Sequence, residues 1–155
     1  RQYLNESNTV VAQKVKAALQ SKLTPIVCIG ESLADRQANK TVDTLKKQLD
    51  AIFSIEADWA NQSLLLSYEP IWAIGTGETA SCAEIKAVHG WIKAQLTIIN
   101  ETLAKKTKIL YGGSVKPGNA LDLLNTPNVG GLLVGGASLD VKQFKQLVEQ
   151  CKRFY

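Results

Sequence analysis

The segment SLLLSYEPIWAIGTGETA, residues 63–80, decides how this sequence is read. It opens with an apolar run, places Glu69 at the end of that run, and continues through Pro70 and Trp72 to two glycines. A short apolar run bounded by turn residues predicts a buried strand. A carboxylate that closes such a strand is partly desolvated, which suits a general base. The structural alternative is a salt bridge between Glu69 and a neighbouring residue.

The rest of the chain alternates between two patterns. Apolar residues recur at helical spacing in five segments, 7–22, 41–53, 81–104, 118–126 and 140–154. Four apolar runs predict strands, at 24–30, 63–70, 108–113 and 130–136. Because these runs are nearly continuous, we expect both faces of each strand to be covered, as in parallel sheets with helical crossovers. The sequence therefore predicts a single α/β domain over residues 1–155.

Composition narrows the classes of partner. The 155 residues include 18 basic and 14 acidic residues, for a net charge of +4. These charges are interspersed, whereas a nucleic-acid site needs basic residues clustered on one face. No apolar run approaches the roughly 18 residues of a membrane helix, and no signal-peptide pattern opens the chain. We therefore expect no nucleic-acid partner and no membrane partner.

The cysteines and the histidine indicate no metal, disulfide or cofactor. Cys28, Cys82 and Cys151 are far apart and odd in number, without metal-ligand spacing. Cys28 lies inside an apolar run, which predicts a buried thiol and a reducing, cytoplasmic location. His89 lies within a long helical segment, which predicts a packed or exposed helix residue rather than a catalytic base.

Glycine-rich turns follow two of the predicted strands. Gly112-Gly113-Ser114 and Gly135-Gly136 each stand between a strand and a helix. Turns without Cβ atoms let backbone amides approach an anion, and a helix N-terminus adds its dipole. The two turns together predict a phosphate site, although either could simply be a tight turn. Glu31, after another strand, is expected to be a structural ion-pair partner.

Residues 70–80 have the composition of a lid. A stiff proline, an apolar middle and flexible glycines describe a segment that moves as a unit and excludes water from a base beneath it. Alternatively, GTGETA at residues 75–80 fits the G-x-G-x-x-A dinucleotide pattern. That signal is weak, because the glycines of a dinucleotide site follow the strand immediately.

Taken together, these motifs resemble the triosephosphate isomerase family. YEPIWAIGTGETA resembles its catalytic-base strand and lid, while CIGE, YGGSV and LVGGASL resemble the ends of its fifth, seventh and eighth strands. RQYLNES resembles the segment after its fourth strand. The resemblance implies a (β/α)8 TIM barrel, here an incomplete barrel of four parallel strand–helix units plus a leading helix.

The resemblance also implies residue roles. Glu69 would be the base that interconverts dihydroxyacetone phosphate and glyceraldehyde 3-phosphate, without a cofactor or metal. Backbone amides of Gly75, Ser114, Gly135 and Gly136 would bind the substrate phosphate. Tyr111 and Ser114 would hold the lid closed near Gly77 and Ala80, and Cys28 would pack beside the base. The lid would consist of Pro70, Ile71, Trp72, Ala73, Ile74, Gly75, Thr76, Gly77, Glu78, Thr79 and Ala80. Glu78 stands where the family usually has lysine.

The resemblance starts partway along the family's length. The chain begins at Arg1 and contains no Met, so we expect the C-terminal part of a longer isomerase that acts in glycolysis and gluconeogenesis as a cytoplasmic homodimer. The family's lysine, histidine and dimer-interface loop would lie upstream. We expect the chain alone to be inactive and prone to self-association. The alternatives are a non-catalytic phosphate-binding half-barrel and another sugar-phosphate barrel enzyme, which would lack YEPIWAIGTG.

Overall fold

A computed structural model describes residue 1 and residues 4–154 of the chain. Its strands are β1 (Ile26–Ile29), β2 (Leu65–Tyr68), β3 (Ile109–Tyr111) and β4 (Gly131–Leu132). Its helices are α1 (Asn8–Gln20), α2 (Leu33–Gln37), α3 (Thr41–Phe53), α4 (Cys82–Ile99), α5 (Glu101–Lys106), α6 (Ala120–Asn125) and α7 (Val141–Cys151).

The strands form one parallel sheet in the order β1-β2-β3-β4. Each crossover contains a helix, so the predicted α/β architecture is confirmed. Within the described residues the sheet is open, with β1 and β4 at its two edges, and it is therefore an incomplete barrel. Because the strands are parallel, their carboxyl ends and the loops that follow them lie at the same edge.

Burial differs between the strands, because β3 is buried along its whole length whereas alternate residues of β1 are exposed. Val27 and Ile29 of β1 are buried in the core, whereas Ile26 is 49% exposed and Cys28 is also exposed. The prediction that both faces of every strand are covered is therefore wrong for β1, and so is the prediction of a buried Cys28 thiol. The reason is positional, because β1 is an edge strand in the described sheet.

Helix boundaries follow the capping residues of the sequence. Ser7 caps α1 by accepting a hydrogen bond from Val10 N, and the predicted Ser81–Glu84 capping box opens α4. The single long helix expected over residues 81–104 is wrong, because Asn100 divides it. Asn100 has an extended backbone (φ −164°, ψ 119°), and its side chain accepts a hydrogen bond from Leu103 N, which starts α5.

Two further elements differ from expectation. The run at 130–136 forms only the two-residue β4, with one further ladder hydrogen bond from Leu133 N to Tyr111 O, and residues Gly136–Leu139 form a 3₁₀ turn. Glycines at both ends of the run weaken a strand because they supply no side chains to pack. The short helix α2 follows Glu31 and opens with its own capping box, Ser32 with Asp35.

No helix in the described part of the chain combines the length and the apolar character needed to cross a membrane.

Candidate active site

Glu69 lies where β2 ends, at the edge that carries the strand-following loops. Its backbone N–H donates to Ile29 O at 2.7 Å, which fixes the backbone against β1. A Cβ at Gly30 would lie 1.8 Å from the Glu69 carbonyl oxygen, and a Cβ at Gly112 would lie 2.6 Å from Glu69 Cγ. Glycines after β1 and β3 therefore leave room for Glu69, and its half-buried side chain borders the Gly112 turn.

The thiol of Cys28 lies beside the Glu69 carboxylate, as the resemblance implies. Burial of the sulfur raises the pKa of the Cys28 thiol to about 12, and the neighbouring negative charge of Glu69 adds to the increase. The residue is exposed at the edge of the sheet, and the charge of Glu69 acts on its thiol in the same direction as burial. The thiol is therefore protonated at neutral pH and is a poor nucleophile.

A cavity of about 480 Å³ runs along β1 next to Glu69. It is bordered by α1 residues such as Val11 and Val15 and by the first lid residues, Ile71 and Ile74. The glycine turns after β3 and β4 are not part of its lining. Because the cavity follows the outer edge of β1, its volume reflects an uncovered sheet edge rather than a built substrate pocket.

The four predicted phosphate-binding residues lie on three segments. Gly75 is in the lid, Ser114 follows β3, and Gly135 and Gly136 follow β4. Gly135 and Gly136 are exposed, and a Cβ at either position would meet no atom within 4 Å. All four residues lie in loops that follow parallel strands, at the edge of the sheet that carries Glu69.

The lid is held at its ends and exposed between them. A 3₁₀ turn, Ile71–Ala73, follows the buried Pro70, and Ala80 is buried at the far end, while residues 74–79 are exposed. Gly75 (φ +69°) and Gly77 (φ +85°) have left-handed backbones that favour glycine. The dinucleotide alternative gains no support, because these glycines lie in an exposed loop beyond a 3₁₀ turn instead of at a strand-to-helix turn.

Tyr111 lies on β3 with a buried hydroxyl that makes no hydrogen bond within the described residues. Burial raises its pKa, and the nearby backbone N–H of Ala80 opposes that shift without reaching full hydrogen-bond geometry. The hydroxyl is therefore close to the end of the lid, where the resemblance places it. The hydrogen bonds by which Tyr111 and Ser114 would hold the lid closed therefore stay predictions for the closed position of the lid.

Glu31 is the structural ion-pair partner that the sequence predicts. It is fully buried, and its Oε1 accepts hydrogen bonds from Tyr68 Oη (3.1 Å) and Trp72 Nε1 (3.0 Å). Arg36 Nη1 lies 3.6 Å from the same oxygen. Burial, with the charge of Glu31, raises the pKa of Tyr68, so its hydroxyl remains a donor at neutral pH.

His89 is the packed helix residue expected from the sequence. It is fully buried, its Nδ1 lies 3.1 Å from Asn128 O, and its ring meets Tyr68 edge to face. Burial lowers its pKa to about 4. No cluster of potential metal ligands occurs among the described residues.

Sequence reasoning missed two residues near the site. Arg36 contacts both Glu31 and Glu84, and no local pattern reveals contacts with partners so far apart in the chain. Ser67 is fully buried two residues before Glu69, and its hydroxyl would lie 2.7 Å from a Cβ at Gly112. The period of two along a strand could have placed Ser67 on the same face as Glu69.

Comparisons with known proteins agree with these features. A family model described as triosephosphate isomerase matches residues 1–151. The triosephosphate isomerase of Coxiella burnetii (strain Dugway 5J108-111) is 44% identical over 156 residues, covering 100% of this chain and 61% of its relative. That of Alkaliphilus oremlandii is 45% identical, covering 96% of this chain and 60% of its relative.

A solved structure gives the same result for the fold. The crystal structure of triosephosphate isomerase from Bartonella henselae superimposes with a TM-score of 0.84 at 36% identity, covering 96% of this chain and 60% of that one. The chain thus spans about three fifths of the length of the relatives it matches. From the family match over nearly its whole length, the chain belongs to the triosephosphate isomerase family.

Proposed function

We propose that this chain supplies the base, the lid and the phosphate-binding turns of a triose-phosphate isomerase. The enzyme would interconvert dihydroxyacetone phosphate and glyceraldehyde 3-phosphate. The observation that carries the proposal is the position of Glu69, which closes β2, borders the Gly112 turn and directly precedes the lid. Triose-phosphate isomerase is itself an established example of a carboxylate base that works beneath a closing loop.

The reaction needs one group that accepts and returns a proton. The Glu69 carboxylate would take a proton from the carbon next to the substrate carbonyl, and the electron pair of that C–H bond would move to the carbonyl oxygen. In the resulting enediolate, the hydroxyl proton on the first carbon would pass to the oxygen of the former carbonyl. Glu69 would return its proton to the former carbonyl carbon, so that the first carbon becomes the new carbonyl. Neither electrons nor groups are gained overall, so the step requires no redox partner.

The substrate phosphate would be held by backbone amides of Gly75, Ser114, Gly135 and Gly136. Gly135 and Gly136 are open to solvent, and amides without nearby Cβ atoms suit an anion. The lid, residues 70–80, would exclude water while the enediolate exists, because water strengthens side reactions and weakens electrostatic interactions within the site.

The enediolate oxygen also needs a stabilising group. The family resemblance assigns that role to a lysine and a histidine on earlier strands, and His89 cannot replace them because it is a fully buried residue of α4 that packs against Asn128. The absence of such a stabiliser typically lowers rates roughly 10²–10³-fold or more. We therefore expect full activity only where such a stabilising group completes the site.

The assembly is part of the same proposal. The family resemblance implies a cytoplasmic homodimer, and one hydrophobic core that extends from Val15 to Leu147 supports a single domain over residues 1–155. Sedimentation of the native protein together with a single cooperative unfolding transition would test both points.

The direct test is an isomerase assay on the native protein and on its Glu69→Gln variant. Glu69→Gln keeps the shape of the side chain and removes its basicity, so kcat should fall by roughly 10³-fold or more. Glu149→Gln, on the exposed surface of α7, is the matched control and should keep wild-type activity. Phosphate binding without isomerase activity would favour the non-catalytic phosphate-binding module instead.

A further inference from the structure

Arg36 of α2 contacts one group near the start of the lid and one just beyond its end. Its guanidinium carbon lies 4.7 Å from the ring centroid of Trp72, near the start of the lid. Its Nη2 donates to Glu84 Oε1, just past the end of the lid. Its Nη1 lies 3.6 Å from Glu31 Oε1. A single cation therefore contacts Trp72 near the start of the lid and Glu84 just past its end.

The start of the lid depends on Glu31. The Trp72 indole N–H donates to Glu31 Oε1 at 3.0 Å, and the Ile71 backbone N–H donates to the Glu31 carbonyl at 3.1 Å. Trp72 therefore cannot move away without losing both its hydrogen bond to Glu31 and its stacking on Arg36. The second carboxylate oxygen of Glu31 has no partner within the described residues, so this buried anion depends on the donors at Oε1.

The end of the lid depends on Glu84. Glu84 Oε2 accepts hydrogen bonds from the Ser81 backbone N–H (2.7 Å) and hydroxyl (2.8 Å), which completes the capping box of α4. Its other oxygen accepts from Arg36. One carboxylate thus joins the first turn of α4, next to the buried Ala80, to the same guanidinium that covers Trp72.

We propose that Arg36 is a positioning residue that couples the two ends of the lid, so that the start and the end of residues 70–80 are released together. This proposal rests on the proposed function, in which the lid closes over Glu69. Arg36 is only partly exposed, with 25% of its side-chain surface accessible, and charges in such a place interact more strongly than charges in water. A weaker contact with Glu84 therefore loosens the position of Arg36 over Trp72.

The competing explanation is that each contact acts locally. Glu84 would then only cap α4, and Arg36 would only balance the buried charge of Glu31. Glu84→Gln separates these explanations, because glutamine keeps an oxygen for Ser81 N–H while it loses the negative charge that faces Arg36. Glu84 has no direct contact with Trp72 among the described hydrogen bonds and ring contacts, so a local cap would leave Trp72 unchanged.

The test measures exchange of the Trp72 indole proton with water by NMR in the native protein, with Trp72→Phe to assign the signal. We expect exchange roughly threefold to tenfold faster in Arg36→Met and roughly threefold faster in Glu84→Gln, as for coupled neighbouring charges. The double variant should be no faster than Arg36→Met alone. Lys46→Met, which breaks the exposed Lys46–Asp50 pair on α3, is the control and should exchange at the wild-type rate.

Glu84→Gln is the decisive variant. Arg36→Met leaves the buried charge of Glu31 without its cation and could therefore unfold the protein. Wild-type exchange in Glu84→Gln would overturn the coupling. Isomerase activity is measured on the same samples. An inactive wild type with accelerated exchange in Glu84→Gln would refute the proposed function and leave the coupling intact. An active wild type with unchanged exchange in Glu84→Gln would refute the coupling and leave the proposed function intact.

Discussion

Two carboxylates follow two neighbouring strands of the sheet, and their surroundings are opposite. Glu31, after β1, is fully buried, and three donor side chains gather at one of its oxygens. Glu69, after β2, is half-buried, and its side chain faces glycine and a protonated thiol. The difference shows that the neighbours of a carboxylate decide its role. Hydrogen-bond donors surround the carboxylate of Glu31, which is therefore structural, whereas the space beside Glu69 leaves its carboxylate available to a substrate.

The comparison predicts the largest loss of stability at Glu31. Glu31→Ala removes the acceptor of Tyr68 and Trp72 and the partner of Arg36, so the free energy of unfolding should fall by about 3 kcal/mol. Urea unfolding of the native protein measures this value, and Glu149→Ala on the surface should change it by less than about 0.5 kcal/mol. A loss below about 1 kcal/mol at Glu31 would show that its hydrogen bonds do not hold the region together.

The space around Glu69 can be tested at Gly112. A Cβ there would lie 2.6 Å from Glu69 Cγ and 2.9 Å from Oε1, so Gly112→Ala must displace the carboxylate. A displacement of about 1 Å at a reacting group costs on the order of 100-fold in rate, and kcat/KM should fall by about that factor. Gly118→Ala, where a Cβ meets no atom within 4 Å, is the control. Unchanged activity in Gly112→Ala would mean that the space is unnecessary.

His89 extends the comparison to a buried base that packs against Tyr68. Burial lowers its pKa from 6.5 to about 4, so the folded state holds the ring neutral while the unfolded state accepts a proton below about pH 6.5. Stability is therefore present above pH 6.5 and is lost as the pH falls towards 4. The expected loss is about 1 kcal/mol between pH 7 and 5.5, approaching about 3 kcal/mol near pH 4.

Urea unfolding of the native protein across pH 4–7 measures the His89 effect, with His89→Gln as the non-ionising variant. The pH dependence of the variant should be flatter by the same amount. Parallel curves for the two proteins would place His89 outside the groups that control acid stability.

The smallest effect is expected at Ser67, which lies on β2 two residues before Glu69. Its buried hydroxyl has no hydrogen-bond partner within the described residues, and an unpaired buried polar group is destabilising. Ser67→Ala should raise the free energy of unfolding by about 1 kcal/mol without changing kcat, whereas Ser54→Ala, at an exposed hydroxyl bonded to Ala51 O, should not stabilise. A loss of stability in Ser67→Ala would reveal a partner for the hydroxyl and weaken the contrast with Glu31.

The sequence was most informative where the determining interactions are local. Helix α3 begins and ends where its apolar spacing predicts, and the Ser81–Glu84 box opens α4 as expected. The break at Asn100 was missed, because an asparagine can lie within a helix or cap a new one, and the extended backbone of Asn100 is apparent only in the structure. Local signals therefore located helices better than they located interruptions.

The sequence predicted which residues form the site but not the contacts between them. Glu69, the start of the lid and the glycine turns all lie at the carboxyl ends of predicted strands, so sequence order placed them at one edge of the sheet. Cys28 was expected to be buried because its neighbours are apolar, yet the edge position of β1 leaves it exposed. Arg36 was missed because its partners Glu31, Trp72 and Glu84 meet only after folding.

By itself, the sequence determined the order of strands and helices, the family, and which carboxylate stands before the lid. These properties depend on the spacing of apolar residues, on capping side chains and on motifs that are continuous in the chain. Only the tertiary structure decided that Glu31 is buried among three donors, that Glu69 lies in a space left by Gly30 and Gly112, and that Arg36 joins both ends of the lid. Burial and charge pairing arise between residues distant in the chain, so no local pattern records them.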